Sequence, residues 1–365
     1  MRFWIVGGGT GGHVYPGLAV AQALRAVDPT ARLTWVGGEE GMERALVERA
    51  GLPFFAVPAG GVHGVGLGRM VRNSLQLLQG LGVAHRALVQ ERPDALLTTG
   101  GYVSVPVALA AWSRGVPVAV FLPDVEPALS VKFVARLATR IGVTVEASRR
   151  FLPQRKVEVT GYPLREEITR WDRASGRRAL GLAPSALVLL VFGGSRGARS
   201  LNRAVLAHLP ALLEGAEVVH ISGQLDWDEV AQAHARLAKE QQGRYHIFPY
   251  LHEEMGAALA SADLVVSRAG ASILGEFPYF GLPAVLVPYP YAWRYQKVNA
   301  QWLVARGAAT LIEDAALKAR LLPTVRALLS NAVHREKMAT AAQALACPDA
   351  SRELAEMLCR LGEET

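Results

Sequence analysis

Short apolar runs alternate with longer amphipathic stretches along the whole chain. The runs have the length and composition of strands buried on both faces, and the stretches between them have the apolar spacing of helices. Because strand and helix patterns alternate with short connections, the sequence predicts an α/β fold with parallel, doubly wound sheets. The predicted strands are residues 3–6, 33–36, 54–57, 95–97, 116–122, 141–143, 187–192, 218–221, 245–248, 264–266, 284–287 and 309–312.

The alternation restarts near the middle of the chain. A chain of 365 residues is longer than one ordinary hydrophobic core requires. We therefore expect two domains, residues 1–162 and 163–346, with the chain crossing between them near residues 161–163. The amphipathic segment at 347–365 is expected to form a helix that packs back on the first domain.

Two glycine-rich turns each follow an apolar run and precede a helical pattern. They are GGGTGGH at 7–13 and GGSRGAR at 193–199. Glycine lets backbone N–H groups approach an anion, and the N-terminus of the following helix is partly positive. Two such turns, half a chain apart, predict two Rossmann-like halves that face a cleft and bind a phosphate-bearing ligand.

The first turn satisfies the G-x-G-x-x-G pattern, but its context is wrong for a dinucleotide. An NAD or FAD site needs an acidic residue at the end of the second strand. That strand ends in Val36-Gly37-Gly38 instead. Loops at 100–104 and 268–272 also follow strands, where ligands of such sheets bind, so we expect these loops and both glycine turns to form one cleft.

The chain is basic, with a formal net charge of +7 and a pI of about 9.6. This balance suits nucleic acid, an anionic membrane surface or anionic substrates. There is no run of Lys and Arg and no basic segment interleaved with aromatic residues, so nucleic acid is not an expected partner. The most apolar stretch, 103–123, contains Arg114, Gly115 and three prolines, which argues against a membrane span. Glycines follow directly after Val6, and we expect no signal peptide.

Six segments resemble the MurG family, the undecaprenyl-diphospho-muramoylpentapeptide N-acetylglucosaminyltransferases of bacterial cell-wall synthesis. The resemblance implies the two-domain B-type glycosyltransferase fold. It also implies an inverting transfer of N-acetylglucosamine from UDP-N-acetylglucosamine to the 4-hydroxyl of a polyprenyl-diphosphate-linked N-acetylmuramoyl pentapeptide. The enzyme would be a peripheral membrane protein, and the reaction would take place at the cytoplasmic face of the cell membrane. The segments are 7–24, 99–106, 161–168, 193–202, 267–276 and 281–300.

The resemblance implies a donor site held mainly by the second domain. Ser195 and Arg165 would contact the diphosphate, and Glu276 the ribose hydroxyls. The backbone of Leu251 would contact the uracil, and Gln296 the sugar hydroxyls. Free N–H groups are expected where Ala271, Ser272 and Ile273 open a helix. The remaining implied donor-binding positions are Thr10, Gly11, Gly12, Asp124, Leu274 and Gly275.

The acceptor and the catalytic base are assigned to the first domain. Most members of the family carry a His-Glu-Gln-Asn segment after the fifth strand, whereas this chain has Phe121-Leu122-Pro123-Asp124-Val125-Glu126-Pro127. Either Asp124 or Glu126 has taken over the role of base, or the acceptor differs from the usual lipid. We favour Asp124 acting with His13, and His13 could instead bind the acceptor phosphate. The implied acceptor-binding positions are Gly9, Thr10, Gly100, Gly101 and Tyr102.

The diphosphate gains negative charge as UDP leaves, and backbone N–H groups with an arginine can stabilise that charge. We therefore expect no metal and no cofactor, since the UDP-sugar is a substrate. No Asp-x-Asp motif lies near the donor loops, and Asp226 and Asp228 fall in a helical pattern that predicts solvent exposure.

The segment at 67–86 mixes apolar residues with arginines, among them Arg86. It could be an ordinary core helix with a solvated edge, or a face that docks on an anionic membrane, as the resemblance implies. The implied membrane residues are Leu67, Arg69, Met70 and Arg72. Two other functions remain open, a related UDP-sugar transferase that makes a glycolipid and a non-catalytic UDP-sugar-binding homologue.

Overall fold

The computed structural model describes residues 1–9, 11–39, 43–61, 66–194, 197–291 and 294–364, without the side chains of Leu67 and Arg69. The chain folds into two compact units. Unit 1 comprises Met1–Arg165 and Pro348–Thr365, and unit 2 comprises Glu166–Cys347. Unit 1 thus extends three residues beyond the predicted end at 162.

A parallel sheet forms the centre of unit 1. Its described strands are β1 (Arg2–Gly7), β2 (Arg32–Gly38), β3 (Phe54–Val57), β4 (Ala95–Gly100), β5 (Val118–Leu122), β6 (Arg140–Val143) and β7 (Val157–Val159). They lie in the order β3-β2-β1-β4-β5-β6-β7. The helices are α1 (Gly11–Val27), α2 (Glu43–Arg49), α3 (Leu67–Glu91), α4 (Ser104–Ser113), α5 (Leu129–Leu137) and the C-terminal α17 (Ala350–Glu363).

Unit 2 repeats the plan. Its described strands are β8 (Val188–Phe192), β9 (Glu217–Ile221), β10 (Tyr245–Phe248), β11 (Leu264–Ser267), β12 (Ala284–Leu286) and β13 (Ala309–Leu311). They form a parallel sheet in the order β10-β9-β8-β11-β12-β13. The helices are α6 (Glu166–Thr169), α7 (Arg173–Leu180), α8 (Arg199–Ala207), α9 (Leu209–Gly215), α10 (Trp227–Ala235), α11 (Lys239–Gln242), α12 (Met255–Ser261), α13 (Ile273–Phe280), α14 (Tyr295–Val304), α15 (Leu317–Ser330) and α16 (Ala332–Gln343).

The central strands are apolar along their whole length because helices cover both faces of each sheet. All residues of β5 (VAVFL) and of β8 (VLLVF) are buried. The prediction of two parallel α/β sheets is confirmed, and a strand is present at each predicted position. The additional strand β7 lies at the edge of its sheet, in the segment where the sequence indicated only a crossing.

The C-terminal helix α17 packs against α1 in unit 1. Its buried residues Leu354, Leu358 and Leu361 recur at helical spacing, which places them on one face. Ser351 Oγ also donates a hydrogen bond to the carbonyl of Leu164 at 2.9 Å. Burial of each leucine contributes about 1.5–3 kcal/mol, so α17 is part of the core of unit 1.

Candidate functional site

The loops after β1 and β4 meet at one edge of the sheet in unit 1, because these strands are neighbours. Gly101, a predicted acceptor residue, has φ +89° and lies against Gly8, whose carbonyl oxygen a Cβ would overlap. Gly100 has φ +116° and lies against the imidazole of His13. Only glycine suits both positions, since other residues are strained there and have no space. The predicted residue Thr10 lies outside the described residues.

Helix α1 starts at this edge of the sheet. Its first amides, those of Gly11, Gly12 and His13, have no acceptor within the helix. Thr99 Oγ1 donates to the carbonyl of His13 at 2.7 Å and so ties the start of α1 to β4. Tyr102, the last predicted acceptor residue, is exposed beside these loops. The arrangement presents a helix N-terminus that suits a phosphate group.

His13 and Asp124, the residues predicted to act together as base, are close enough to interact electrostatically. Asp124 follows β5, and the order β1-β4-β5 leaves one strand between the loops that carry the two residues. Burial lowers the pKa of His13 below its usual value, while Asp124, a hydrogen bond to the backbone of Gly8, and Glu43 oppose that shift. A histidine with a lowered pKa is neutral at neutral pH and can accept a proton.

Glu126, the other candidate base, is in a different environment. Its side chain is buried, and Oε1 lies 4.0 Å from Nζ of Lys132. Asp124 is only half-buried. A carboxylate that is enclosed by protein and paired with an ammonium group is harder for a substrate to reach, so the geometry favours Asp124.

Arg165, a predicted donor ligand, is the last residue of unit 1 rather than part of the second domain. Its guanidinium carbon lies 4.1 Å from the ring centroid of Tyr15, on α1. Such a cation–π contact leaves the N–H groups at the edge of the guanidinium plane for other partners. Arg165 therefore adds positive charge beside the N-terminus of α1.

Glu43 is a residue of this region that the sequence analysis missed. It begins α2, and its side chain is 2% exposed. The carboxylate accepts hydrogen bonds from the amides of Gly38, at 3.0 Å, and Gly9, at 3.3 Å. The Gly9 amide, expected to face the acceptor, thus has a protein partner. The sequence signal was slight, a glutamate in the first turn of a helix after the glycine pair at 37–38.

In unit 2 the glycine loop after β8 makes a tight turn. The amide of Gly197 donates to the carbonyl of Gly194 at 2.9 Å, and the two residues have φ +72° and +85°. A Cβ at Gly197 would overlap the carbonyl oxygen of Ser222, so the turn requires glycine. Ser195, the predicted diphosphate ligand, lies outside the described residues.

A buried polar network supports this loop from below. Asn202 Nδ2 donates to the carbonyl of Ser222 at 2.8 Å, and its Oδ1 lies 3.0 Å from Nε2 of His220. Nδ1 of His220 lies 2.7 Å from the hydroxyl of Tyr245. Burial lowers the pKa of His220 to about 4. A neutral His220 satisfies both neighbours, with Nε2–H donating to Asn202 and Nδ1 accepting from Tyr245.

Asp226 belongs to the same network. The sequence analysis expected it to be solvated, and this is wrong, because Asp226 is buried in a 3₁₀ turn before α10. Its carboxylate accepts from Asn202 Nδ2 at 2.9 Å and from Arg199 Nε at 2.8 Å. Asp228, two residues later, is exposed as expected. Asp226 therefore fixes the start of α8.

The turn between β11 and α13 holds the predicted amide donors. The sequence analysis expected a free amide at Ile273, but this amide donates within the turn at 3.3 Å. The amides of Leu274 and Gly275 also donate within the turn, at 3.0 Å each. In the described part of the chain, the amides of Ala271 and Ser272 donate to no protein acceptor. These two remain to bind an anion at the start of α13.

Glu276 lies in the first turn of α13. It is therefore at the same edge of the sheet as the Ala271 and Ser272 amides. Leu251 is buried after β10 and lies between Tyr250 and His252, whose rings are in edge contact with centroids 4.6 Å apart. Both residues follow strands of the same sheet, as the predicted donor site requires.

Gln296 connects two loops of unit 2. Its Oε1 accepts hydrogen bonds from the amide of Tyr289 at 2.8 Å and from the amide of Ala269 at 3.3 Å. These bonds assign the oxygen to the protein side and turn Nε2 away from it. Within the described residues Nε2 has no protein acceptor, so Gln296 presents a fixed N–H donor.

Arg268 also holds loops of unit 2 in place, a role that the sequence analysis did not assign. Its guanidinium is buried, pairs with Asp314, and donates to the carbonyl of Val287 at 3.1 Å and to Ser200 Oγ at 2.7 Å. These partners lie after β13, after β12 and at the start of α8. Arg268 therefore joins three loops at the carboxyl edge of the sheet.

Helix α3 exposes an apolar stripe. Val71, Leu75 and Leu78 follow helical spacing and are 57%, 56% and 66% exposed. Arg72 and Arg86 are exposed beside the stripe. The exposed face of α3 is therefore apolar as well as basic, whereas Ala84, Ala87 and Leu88 of the same helix are buried. The predicted membrane residue Met70 is also exposed, and nothing is described for the side chains of Leu67 and Arg69.

No group of three or more His, Cys, Asp or Glu side chains in the described part of the chain is arranged to hold a metal ion. None of the described helices combines the length and hydropathy that a membrane span needs.

Two family models together match most of the chain. Residues 3–143 match the N-terminal domain of glycosyltransferase family 28, and residues 188–354 match its C-terminal domain. The chain is also similar, over 98% of its length and with a TM-score of 0.75, to the crystal structure of MurG from Acinetobacter baumannii. The sequences are 26% identical, and 99% of that chain is covered.

Curated relatives match over the full length. One from Roseiflexus sp. is 44% identical over 98% of this chain and 94% of its own. Another from Desulforudis audaxviator is 40% identical over 99% of this chain and 98% of its own. Both are named UDP-N-acetylglucosamine--N-acetylmuramyl-(pentapeptide) pyrophosphoryl-undecaprenol N-acetylglucosamine transferase. The chain belongs to glycosyltransferase family 28 and, within it, to the MurG family of UDP-N-acetylglucosamine-dependent transferases.

Proposed function

We propose that the chain transfers N-acetylglucosamine from UDP-N-acetylglucosamine to the 4-hydroxyl of a lipid-diphosphate-linked N-acetylmuramoyl pentapeptide, with inversion, in peptidoglycan synthesis. The observation that carries this proposal is the match of the whole chain to relatives that are named for this reaction. The geometry of the loops in each unit supports it, because each unit offers one half of the chemistry that the transfer needs.

The loops of unit 2 suit the nucleotide-sugar. The amides of Ala271 and Ser272 would bind the diphosphate, together with the loop that contains Ser195. Glu276, in the first turn of α13, would accept hydrogen bonds from the ribose hydroxyls, and Nε2 of Gln296 would donate to the sugar. Each fixed donor at the diphosphate contributes about 3 kcal/mol to the transition state as UDP leaves.

The loops of unit 1 suit the acceptor. The amides of Gly11 and Gly12, at the start of α1, would bind the acceptor diphosphate. Asp124, in electrostatic contact with His13, would take the proton of the attacking hydroxyl. Attack of this hydroxyl on the face of the donor sugar opposite to UDP would invert the anomeric configuration.

The transfer needs no metal in this proposal. The charge that grows on the diphosphate is met by backbone amides and by the guanidinium of Arg165, which together do the work of a divalent cation. Turnover should therefore survive chelation of divalent ions.

The exposed stripe of α3 would dock on the anionic cytoplasmic face of the membrane, where the lipid-linked acceptor lies. Burial of Val71, Leu75 and Leu78 in the interface would contribute about 1.5–3 kcal/mol each, and Arg72 and Arg86 about 1 kcal/mol each. Together, these contributions to the binding free energy suit reversible attachment to the membrane. Flotation with vesicles that contain anionic lipid tests this, and binding that survives the change of Arg69, Arg72 and Arg86 to Glu removes the docking proposal.

The reaction is tested with radiolabelled UDP-N-acetylglucosamine and a short-chain muramoyl-pentapeptide diphosphate lipid. The proposal predicts a labelled disaccharide-peptide lipid with the inverted anomeric bond. Transfer to a simple diglyceride, with none to the muramoyl lipid, would show a glycolipid synthase instead. Binding of UDP without turnover on either acceptor would show a non-catalytic homologue.

A further inference from the structure

Glu43 is a buried carboxylate between two loops of unit 1. It accepts hydrogen bonds from Gly9, in the loop after β1, and from Gly38, at the end of β2. No basic side chain in the described part of the chain forms an ion pair with it. A buried charge is costly, and two amide hydrogen bonds offset only part of that cost, so a core side chain of similar size would stabilise the fold better.

The neighbouring glycines make room for this carboxylate. A Cβ on Gly8 would overlap Oε1 of Glu43. A Cβ on Gly37 would overlap the ring of Phe54 and lie 3.1 Å from Cγ of Glu43. Gly8 has φ outside the left-handed range, so its backbone does not require glycine. The reason for glycine at this position is therefore the space that Glu43 occupies.

Gly8 also contacts His13. The backbone of Gly8 is hydrogen-bonded to the imidazole, and the charges that act on this imidazole are those of Asp124 and Glu43. Gly8 thus lies between the carboxylate of Glu43 and the ring of His13. A shift of Glu43 would move the loop and, with it, the partner of His13.

We propose that Glu43 is a positioning residue. It holds the glycine loop to the end of β2, so that His13 and the first amides of α1 face the acceptor diphosphate. The inference rests on the proposed function for its kinetic consequence, but not for its effect on His13 itself.

The test compares Glu43→Gln with Glu91→Gln in the full-length protein. Glu91 is a matched control because its carboxylate accepts from Trp4 Nε1 at 2.8 Å and from Thr34 Oγ1 at 3.1 Å. Glu91 therefore also joins β1 to β2, but it does so through the side chains of Trp4 and Thr34, away from the glycine loop. Glu43→Gln should raise the KM for the lipid acceptor about tenfold and leave the KM for UDP-N-acetylglucosamine unchanged, because it loses one amide bond and the charge. Glu91→Gln should change neither.

The second readout is the NMR titration of His13, assigned with a His13→Asn variant. Removing the nearby negative charge lowers the pKa of His13 further in Glu43→Gln and leaves it unchanged in Glu91→Gln. Glu43→Asp keeps the charge but is too short to reach both amides, so the titration returns towards that of the parent while the acceptor KM stays high. This readout decides the inference even if the enzyme uses another acceptor. An acceptor KM and a His13 titration that match those of Glu91→Gln overturn the proposal.

Discussion

In unit 1 the glycine loop after β1 is held by the carboxylate of Glu43. In unit 2 the loop after β8 packs against Ser222, whose carbonyl accepts from Asn202, and Asn202 in turn is bonded to a neutral His220. The charges under the second loop are paired, as in Arg199 with Asp226. The charges around the first loop are the carboxylates of Asp124 and Glu43, and both act on His13.

The difference shows how one architecture serves two tasks. Paired charges and neutral amides form fixed dipoles, which suit the binding of a nucleotide whose charge grows during the reaction. Carboxylates close to an imidazole shift its pKa and can share a proton, which suits the activation of a hydroxyl. In the proposal, unit 1 therefore carries out proton transfer and unit 2 binds the nucleotide.

The largest effect is expected at the base. Asp124→Asn should lower kcat by about two to four orders of magnitude, because general-base catalysis contributes that much. The matched variant is Glu126→Gln, whose carboxylate is paired with Lys132, and its loss should be much smaller. Steady-state rates on a muramoyl lipid check this. A larger loss of kcat in Glu126→Gln would identify Glu126 as the base instead.

A smaller effect concerns the neutral network of unit 2. Folded His220 has a pKa of about 4 and an unfolded histidine about 6.5, so the unfolded chain binds more protons between these values. Stability is full above pH 6.5 and falls by about 1.4 kcal/mol per unit as the pH drops towards 4. Urea unfolding from pH 7 to 4.5 should show this loss to be reduced in His220→Gln. Equal pH slopes in the two proteins would contradict a neutral, buried His220.

The role of Gln296 can be separated from its support of the loops. Glutamate at this position still accepts from the amides of Ala269 and Tyr289 but cannot donate to the sugar. Gln296→Glu should therefore keep the thermal stability and raise the KM for UDP-N-acetylglucosamine about tenfold, the cost of one hydrogen bond. Gln296→Ala, in contrast, should lower both stability and affinity. An unchanged KM in Gln296→Glu would show that the side chain supports the loops only.

The smallest effect is expected from chelation. Excess EDTA should leave the rate unchanged, because amides and Arg165 meet the charge of the diphosphate in the proposal. Restoration of a lost rate by a divalent ion would show that unit 2 does not bind the diphosphate by fixed dipoles alone.

The architecture could be predicted from the sequence because both sheets are parallel and covered, so each strand reads as a continuous apolar run. β7 was missed because it has three residues and lies at the sheet edge. That His13 and Asp124 act together was expected from the resemblance to the MurG family, because the local pattern does not contain the strand order that brings their loops to one edge of the sheet. The burial of Asp226 was not predicted because a helical pattern shows neither the 3₁₀ turn that contains Asp226 nor its hydrogen bond from Asn202.

Calorimetric titration of UDP into two variants tests the division of tasks most directly. Glu276→Gln, in unit 2, should weaken UDP binding about tenfold, or about 1.4 kcal/mol, because the amide has one acceptor oxygen and cannot accept hydrogen bonds from both ribose hydroxyls as a carboxylate can. Asp124→Asn, in unit 1, should bind UDP like the parent protein. Unchanged affinity in Glu276→Gln together with a loss in Asp124→Asn would contradict the account, as would a parent protein that does not bind UDP.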